Sequence, residues 1–184
     1  MKNKSSKIFI VLIFVIILSF LSSYLISDFL LGSFSVIGSS MEPTLYQEDQ
    51  GIKDIIVYKT LGIKRFDVVI ADLYDEHIIK RVIGLPGEHI NYINNVLYVN
   101  GQKVEEGFIT KENKNNTCYS NFDVCRGGIT LLEDEYFLVG DNRLESFDSR
   151  MFVNQVHVSK EDIIGKAIVA FRKQDSFWKK IIWL

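Results

Sequence analysis

Proline and cysteine are scarce in this 184-residue chain, with two of each, and histidine occurs only three times. Cys118 and Cys125 stand too far apart for a C-x-x-C redox pair. A loop-stapling disulfide and two free thiols both fit their spacing. His77, His89 and His157 show no ligand-pair spacing, so neither a metal site nor a cofactor is expected. None sits in a triad-like setting either: His77 falls on the strand face opposite Lys80, His89 follows a tight turn, and the apolar run around His157 offers no acidic partner. The formal net charge is −2, and without a basic stripe to neutralise phosphates a nucleic-acid partner is excluded. Long apolar runs are also few, and a single one, near the start, inflates the 47% hydrophobic content.

That run, Ile8 through Ser27, carries no charge and is dominated by Ile, Leu, Phe and Val, long enough to cross a hydrocarbon core of roughly 30 Å. A cleaved secretory signal has a shorter core of about 7–15 residues and a small-residue exit, which Ser27-Asp28-Phe29-Leu30-Leu31 does not provide. A retained anchor is therefore favoured. Lys2, Lys4 and Lys7 precede it and Asp28 follows, which predicts a cytoplasmic tail over 1–7, an anchor over 8–31 and an extracytoplasmic domain over 32–184. The final segment, Phe177-Trp178-Lys179-Lys180-Ile181-Ile182-Trp183-Leu184, reads equally as an interfacial lipid contact and as a last packed strand.

After the anchor the pattern is β, in short β-branched or aromatic runs bounded by turn residues. They are Asp54–Tyr58, Asp67–Ala71, His77–Ile83, Asn95–Val99, Glu135–Val139 and Ile163–Phe171. No stretch of this domain sustains helical periodicity. Asn100-Gly101 between Leu97-Tyr98-Val99 and Lys103-Val104 predicts a tight hairpin, because a type I′ turn needs positive φ at both central residues. Gly107 to Gly128, rich in Asn, Lys and Gly, reads as a surface excursion. Within it Asn115-Asn116-Thr117 matches a glycosylation pattern too short to carry weight.

Three segments carry the chemistry, and both prolines lie in them. Ser40-Met41-Glu42-Pro43-Thr44, just past the anchor, is a compact turn fit to present a hydroxyl nucleophile. In Ile78-Ile79-Lys80-Arg81-Val82-Ile83-Gly84-Leu85-Pro86-Gly87-Glu88, strand alternation puts Ile78, Lys80 and Val82 on one face. An amine flanked by aliphatics is desolvated, which disfavours the ammonium and moves Lys80 toward a form that accepts a proton. Taken alone, Lys80 also fits a lysine snorkelling from a half-buried strand. The third, Gly140-Asp141-Asn142-Arg143-Leu144-Glu145-Ser146-Phe147-Asp148-Ser149-Arg150, follows an apolar strand. Asp148 and Arg150, two apart, are placed to lock each other beside Ser146.

In this order the three segments, with the anchor, resemble the bacterial type I signal peptidases, membrane-anchored serine proteases that remove signal peptides from exported preproteins. Phe66-Asp67-Val68-Val69 resembles the family's intervening strand, with Phe66 where glycine is common. The resemblance implies a mostly β fold: a transmembrane helix, then an antiparallel β-barrel-like catalytic domain with a small β insertion over 89–139. It implies Ser40 as nucleophile and Lys80 as general base, Ser146 orienting the Lys80 amine, and supporting ion pairs Asp148–Arg150 and Arg81–Asp141. The Ser40 backbone N–H would supply one oxyanion donor, while Gly38 stands where some relatives carry a second, hydroxyl donor. Val36, Ile37, Gly38 and Ile78 would shape substrate pockets for small residues at −1 and −3. Exported preproteins and membrane lipid are the implied partners, with a monomer expected. Two other readings fit parts of the pattern. One is a catalytically silent, membrane-anchored assembly factor, against which Ser40, Lys80 and Ser146 argue. The other is a self-cleaving Ser/Lys regulator, whose DNA-binding module the anchor replaces.

Overall fold

The computed structural model describes residues 2–73, 75–119, 122–151, 157–172 and 181–184. Helix α1 (Lys2–Phe29) is the apolar run, with mean hydropathy 2.4 over Lys7–Tyr24 and no burial there. By length and composition it can cross a membrane. It ends at Phe29, and strand β1 (Leu31–Ser35) starts after Leu30, so the stretch expected as anchor over 8–31 divides at its last residues.

The remaining elements are β2 (Gln50–Asp54), α2 (Val57–Leu61), β3 (Val68–Leu73), β4 (Glu76–Gly84), β5 (His89–Ile93), β6 (Val96–Val99), β7 (Gln102–Val104), α3 (Lys111–Asn115), α4 (Asp123–Arg126), β8 (Ile129–Thr130), β9 (Glu135–Val139), β10 (Val158–Ser159), β11 (Ile163–Phe171) and β12 (Ile181–Trp183). They form two antiparallel sheets. The larger runs β1-β2-β11-β3-β4-β9-β10, with β12 also on β11, and the smaller runs β7-β6-β5-β8. The barrel-like expectation is corrected here: among the described residues β1 and β10 each pair on one side only, so the large sheet stays open. The segment expected as an insertion over 89–139 also divides, because β9 returns to the large sheet against β4. Phe177 to Lys180 lie outside the described residues, whereas Ile181–Trp183 is a strand.

Period-2 alternation explains the core. On β3, Val68 and Ile70 face a cluster with Phe34, Met41 and Leu45, while Val69, Ala71 and Leu73 face one with Tyr58, Val82 and Leu138. β9 likewise sends Leu138 to the second cluster and Phe137 and Val139 to a third, under the small sheet, with Ile90, Tyr92 and Leu97. Burying Met41 and Leu45 contributes about 1.5–3 kcal/mol each and fixes the turn that carries Ser40 onto the large sheet.

Local chemistry overrides some expectations. The strand expected over Asp54–Tyr58 stops at Asp54, whose carboxylate accepts the N–H groups of Ile56 and Val57 at 2.9 and 2.7 Å and turns the chain into α2. The Asn100-Gly101 turn has the required positive φ at both residues (49° and 77°). Asn94-Asn95 repeats the device (51° and 63°) between β5 and β6. The excursion over 107–128 is not merely superficial: Phe122 and Val124 enter the third cluster, and Cys118 and Cys125 are joined in a disulfide.

The small sheet is tied to the loop after β9 through Arg143, which is fully buried. It donates to Glu106 Oε1 at 2.5 Å, to Tyr92 Oη and Thr117 Oγ1 at 3.1 Å, and to the Gly140 carbonyl at 3.0 Å. Glu106→Ala strands this guanidinium without its counter-ion, so the expected loss of folding stability is about 3–5 kcal/mol. Urea unfolding of the detergent-solubilised protein measures it, and a loss below 1 kcal/mol would show that the pair is dispensable.

Candidate active site

Ser40 lies in a turn that the large sheet grips on both sides. Upstream, Val36 N–H donates to the Asp49 carbonyl at 2.9 Å, and Glu48 N–H donates to the Val36 carbonyl at 3.0 Å. Downstream, Leu45 N–H donates to the Met41 carbonyl at 2.9 Å, and the Glu42–Pro43 peptide is cis. The loop after β9 closes over it: Asn142 N–H donates to the Ser40 carbonyl at 3.0 Å and Asn142 Nδ2 to the Ser39 carbonyl at 3.2 Å.

Lys80 arrives from β4, where its partner across the ladder is Val69. It is 5% exposed, and its Nζ donates to Ser40 Oγ at 2.8 Å. Burial lowers its pKa from the ordinary lysine value; the Asp148 carboxylate opposes this and the Arg150 guanidinium reinforces it. Asp148, fully buried, has its own balance. Burial pushes its carboxyl up, but Arg150, the Ser146 hydroxyl and the Gly140 N–H hold it below the usual carboxylate range. Arg150 donates to it through Nε at 2.8 Å and Nη2 at 3.0 Å, and also reaches the Thr117 and Arg143 carbonyls at 3.1 and 2.9 Å.

Arg81, next to Lys80 and on the other strand face, grips Asp141 with Nε at 2.8 Å and Nη2 at 2.7 Å. Its Nη1 donates to the Phe66 carbonyl at 2.8 Å, and its guanidinium stacks 4.2 Å from the Phe108 ring. Phe66 has φ 74°, a left-handed backbone that glycine would adopt without strain, and packs edge-on against Phe108 at 5.1 Å. Thr44 Oγ1 donates to Asp141 Oδ2 at 2.5 Å, so Arg81, Asp141 and Thr44 connect three segments distant in sequence. Thr44, Asn142, Glu106 and Tyr92 were not singled out from the sequence. The first two stand inside the motif segments, while Glu106 and Tyr92 carry no local signal.

Ser146 is buried, and its Oγ completes no geometric hydrogen bond among the described residues, although it stands close enough to Asp148 to help hold that carboxyl down. No hydrogen bond joins it to Lys80 among the described residues. It sits against Gly140, where an added Cβ would lie 2.2 Å from Ser146 Oγ and 2.4 Å from the Ser40 carbonyl oxygen. The histidines bond elsewhere: His77 to Asp72, His89 to Thr130 Oγ1 at 3.0 Å, and His157 to Glu135 at 2.9 Å.

A cleft of about 660 Å³ opens beside Ser40 and Lys80, walled by Val36 and Ile37 on one side and Ile78 and Ile79 on the other. Ile37 is 91% exposed, Val36 is buried in the core beneath, and Ile78 is half-buried. Gly38, at φ 85°, stands outside the cleft lining. The cleft is bounded by strand edges that are free among the described residues, where β1 pairs only with β2, and Glu76–Lys80 of β4 pair only with β3, β9 joining at Arg81.

The family model described as signal peptidase, peptidase S26, matches residues 6–172. A signal peptidase I of Bacillus amyloliquefaciens is 36% identical over 137 residues, covering 73% of this chain and 74% of that one. Signal peptidase I P of Bacillus subtilis subsp. natto is 35% identical over 160 residues, covering 85% of each. A crystal structure of a signal peptidase I from Enterococcus faecalis is 29% identical, covering 56% of this chain and 95% of its own, with a TM-score of 0.46.

Two outcomes follow from the geometry. Gly140→Ala forces its methyl against the Ser40 carbonyl and Ser146, and a displacement of this kind costs about 10²-fold in rate; peptidase activity falling no further than thermal stability would contradict it. For Lys80, the folded pKa lies below the unfolded one, so the unfolded chain binds more proton between the two and stability rises with pH there. Lys80→Met removes the cost of burying the ammonium. Its stability advantage should be greatest at neutral pH and vanish as pH climbs from the folded pKa toward about 10.4; a pH-independent difference in unfolding free energy would refute the lowered pKa.

Proposed function

This chain belongs to the peptidase S26 family of signal peptidases, and on that premise we propose that it removes signal peptides from exported preproteins with a Ser40–Lys80 dyad. Relatives named signal peptidase I at 35–36% identity support signal-peptide removal. The observation that carries the dyad is the 2.8 Å contact between Ser40 Oγ and a buried Lys80 Nζ whose pKa is lowered.

In the neutral amine the contact reverses, with the Ser40 hydroxyl donating to Nζ. Ser40 Oγ attacks the scissile carbonyl carbon as its proton passes to Lys80. The tetrahedral oxyanion takes the Ser40 backbone N–H, which no backbone bond in this turn uses among the described residues. Collapse expels the new amino terminus, which takes the proton from Lys80, leaving an acyl-enzyme. Lys80 then draws a proton from water as that water attacks the ester, and it returns this proton to Ser40 Oγ as the carbonyl–Oγ bond breaks and the signal peptide leaves as the acid. The buried Ser146 hydroxyl, packed against Gly140 and close to Asp148, is the group assigned to orienting the amine. Asp148 and Arg150 hold its loop, and Arg81 with Asp141 and Thr44 fixes the relation of β4 to the nucleophile turn.

The two free edges flanking the cleft suit a substrate bound as an added strand. Side chains at −1 and −3 then share a face against Ile37, Ile78 and the backbone around Val36 and Gly38, in pockets for small residues. The apolar helix fits a membrane-anchored enzyme, with the Lys-rich end in the cytoplasm and the catalytic domain outside.

Ser40→Ala and Lys80→Ala are each expected to lower cleavage of a labelled preprotein by at least about 10³-fold, while leaving the unfolding transition cooperative. The wild-type rate is expected to rise through an alkaline pKa below that of free lysine. Full activity in either variant, or a flat profile from pH 6 to 10, defeats the dyad. On the substrate side, a bulky residue at −1 should block cleavage and the same residue at −2 should not; equal tolerance defeats the strand model.

A further inference from the structure

The end of the cleft away from Ser40 is charged, and the chemistry of cleavage makes no use of those charges. Lys53 on β2 lines it together with Glu76 and His77 on β4. Lys53 pairs with Gly32 across the β1–β2 ladder. Its stem runs over two glycines: a Cβ at Gly32 would stand 3.0 Å from Lys53 Cε, and one at Gly165 would stand 2.7 Å from Lys53 Cδ. Two neighbouring strands therefore omit side chains where this stem lies, which fixes its course along the sheet. His77 is engaged by Asp72, and Lys166 on β11 by Asp67 at 2.9 Å. The half-buried Lys53 ammonium has no such partner among the described residues. Glu76 is exposed at the rim, where solvent and salt screen it.

The position of Lys53 along the cleft identifies what it meets. Gly32 is the second residue of the strand that follows the apolar helix, and Ser40 lies beyond the other end of that strand. A preprotein whose apolar segment is embedded in the bilayer passes the start of β1 before its scissile bond reaches Ser40. With −1 at Ser40 and −3 beside Val36 and Ile37, an extended chain at about 3.3 Å per residue brings residues about −6 to −8 alongside Gly32 and Lys53.

Resting on the peptidase reading above, we propose that Lys53 is a specificity-determining residue that recognises a carboxylate side chain, Asp or Glu, about six to eight positions before the scissile bond. A lipid phosphate at the bilayer surface is the competing anion. Because Lys53 shares its cleft with Ser40 and Lys80, the peptide is the favoured occupant.

The test uses the full-length protein in neutral detergent with soluble peptides carrying Ala at −1 and −3 and either Asp or Lys at −6, −7 or −8. Within each enzyme form the readout is the ratio of kcat/KM for the Asp peptide to that for the Lys peptide, so changes in overall rate cancel. A partly exposed ion pair is worth enough for about a three- to fivefold preference. The wild type should favour Asp by that factor at one of the three positions, mostly through KM, with the preference shrinking as salt rises. Lys53→Ala should bring the ratio near one and Lys53→Glu should invert it. Lys59→Glu makes the same charge change on α2 and should leave the ratio as in the wild type. A wild-type ratio of one, or a ratio that Lys53→Glu does not move, overturns the proposal. So does a Lys53→Glu effect seen only as weaker binding to anionic vesicles, which assigns the residue to lipid. If the wild type cleaves none of the peptides while also failing on an authentic preprotein, the peptidase reading itself fails.

Discussion

The arrangement depends on one costly act, the burial of the Lys80 amine against Ser40 Oγ. An ammonium removed from water loses solvation that no single neighbour restores. The fold imposes the loss by placing Lys80 within β4, with β3 on one side and the loop after β9 closing over the catalytic turn. The Asp148 carboxylate nearby favours the charged form, and Arg150, bound to that carboxylate through two nitrogens, acts against it in the same direction as burial. The ion pair therefore serves the amine by neutralising its neighbour, beyond bracing a loop.

The rest of the domain keeps that geometry from relaxing. Arg143 joins Glu106, Tyr92 and Thr117 from the small sheet to the Gly140 carbonyl, and Arg150 takes the Thr117 carbonyl. The disulfide between Cys118 and Cys125 starts one residue beyond Thr117. The small sheet is thus coupled to the catalytic loop through buried charge rather than through its strands. Large-sheet openness has a complementary use, since the free edges of β1 and of Glu76–Lys80 flank the cleft in which a peptide strand would lie.

Much of this was legible in the sequence, where the controlling interactions are local. Runs such as Glu135–Val139 and Ile163–Phe171 are strands with the expected bounds, because β-branched alternation and burial agree there. The three motif segments meet in space. Misreadings arise where polar side chains act on the backbone or where contacts are distant. Asp54 ends its strand with its own carboxylate, and Asn94-Asn95 makes a turn without the glycine that marked Asn100-Gly101. β1 and β2, of mixed polarity, show no alternation to read. Glu106 looks like any surface acid until Arg143, far along the chain, meets it. Closure into a barrel is a global property that no local run encodes.

The most direct measurement of the central claim is the protonation state of Lys80 itself. Proteins labelled with ¹³C at lysine Cε would be titrated by NMR in detergent, with the Lys80 resonance assigned by its loss in Lys80→Ala. One lysine, and the assigned one, should titrate below the ordinary value of about 10.4, and its midpoint should match that of the cleavage rate. A Lys80 resonance titrating with the surface lysines would contradict the account, because an amine still charged at the working pH cannot take the Ser40 proton.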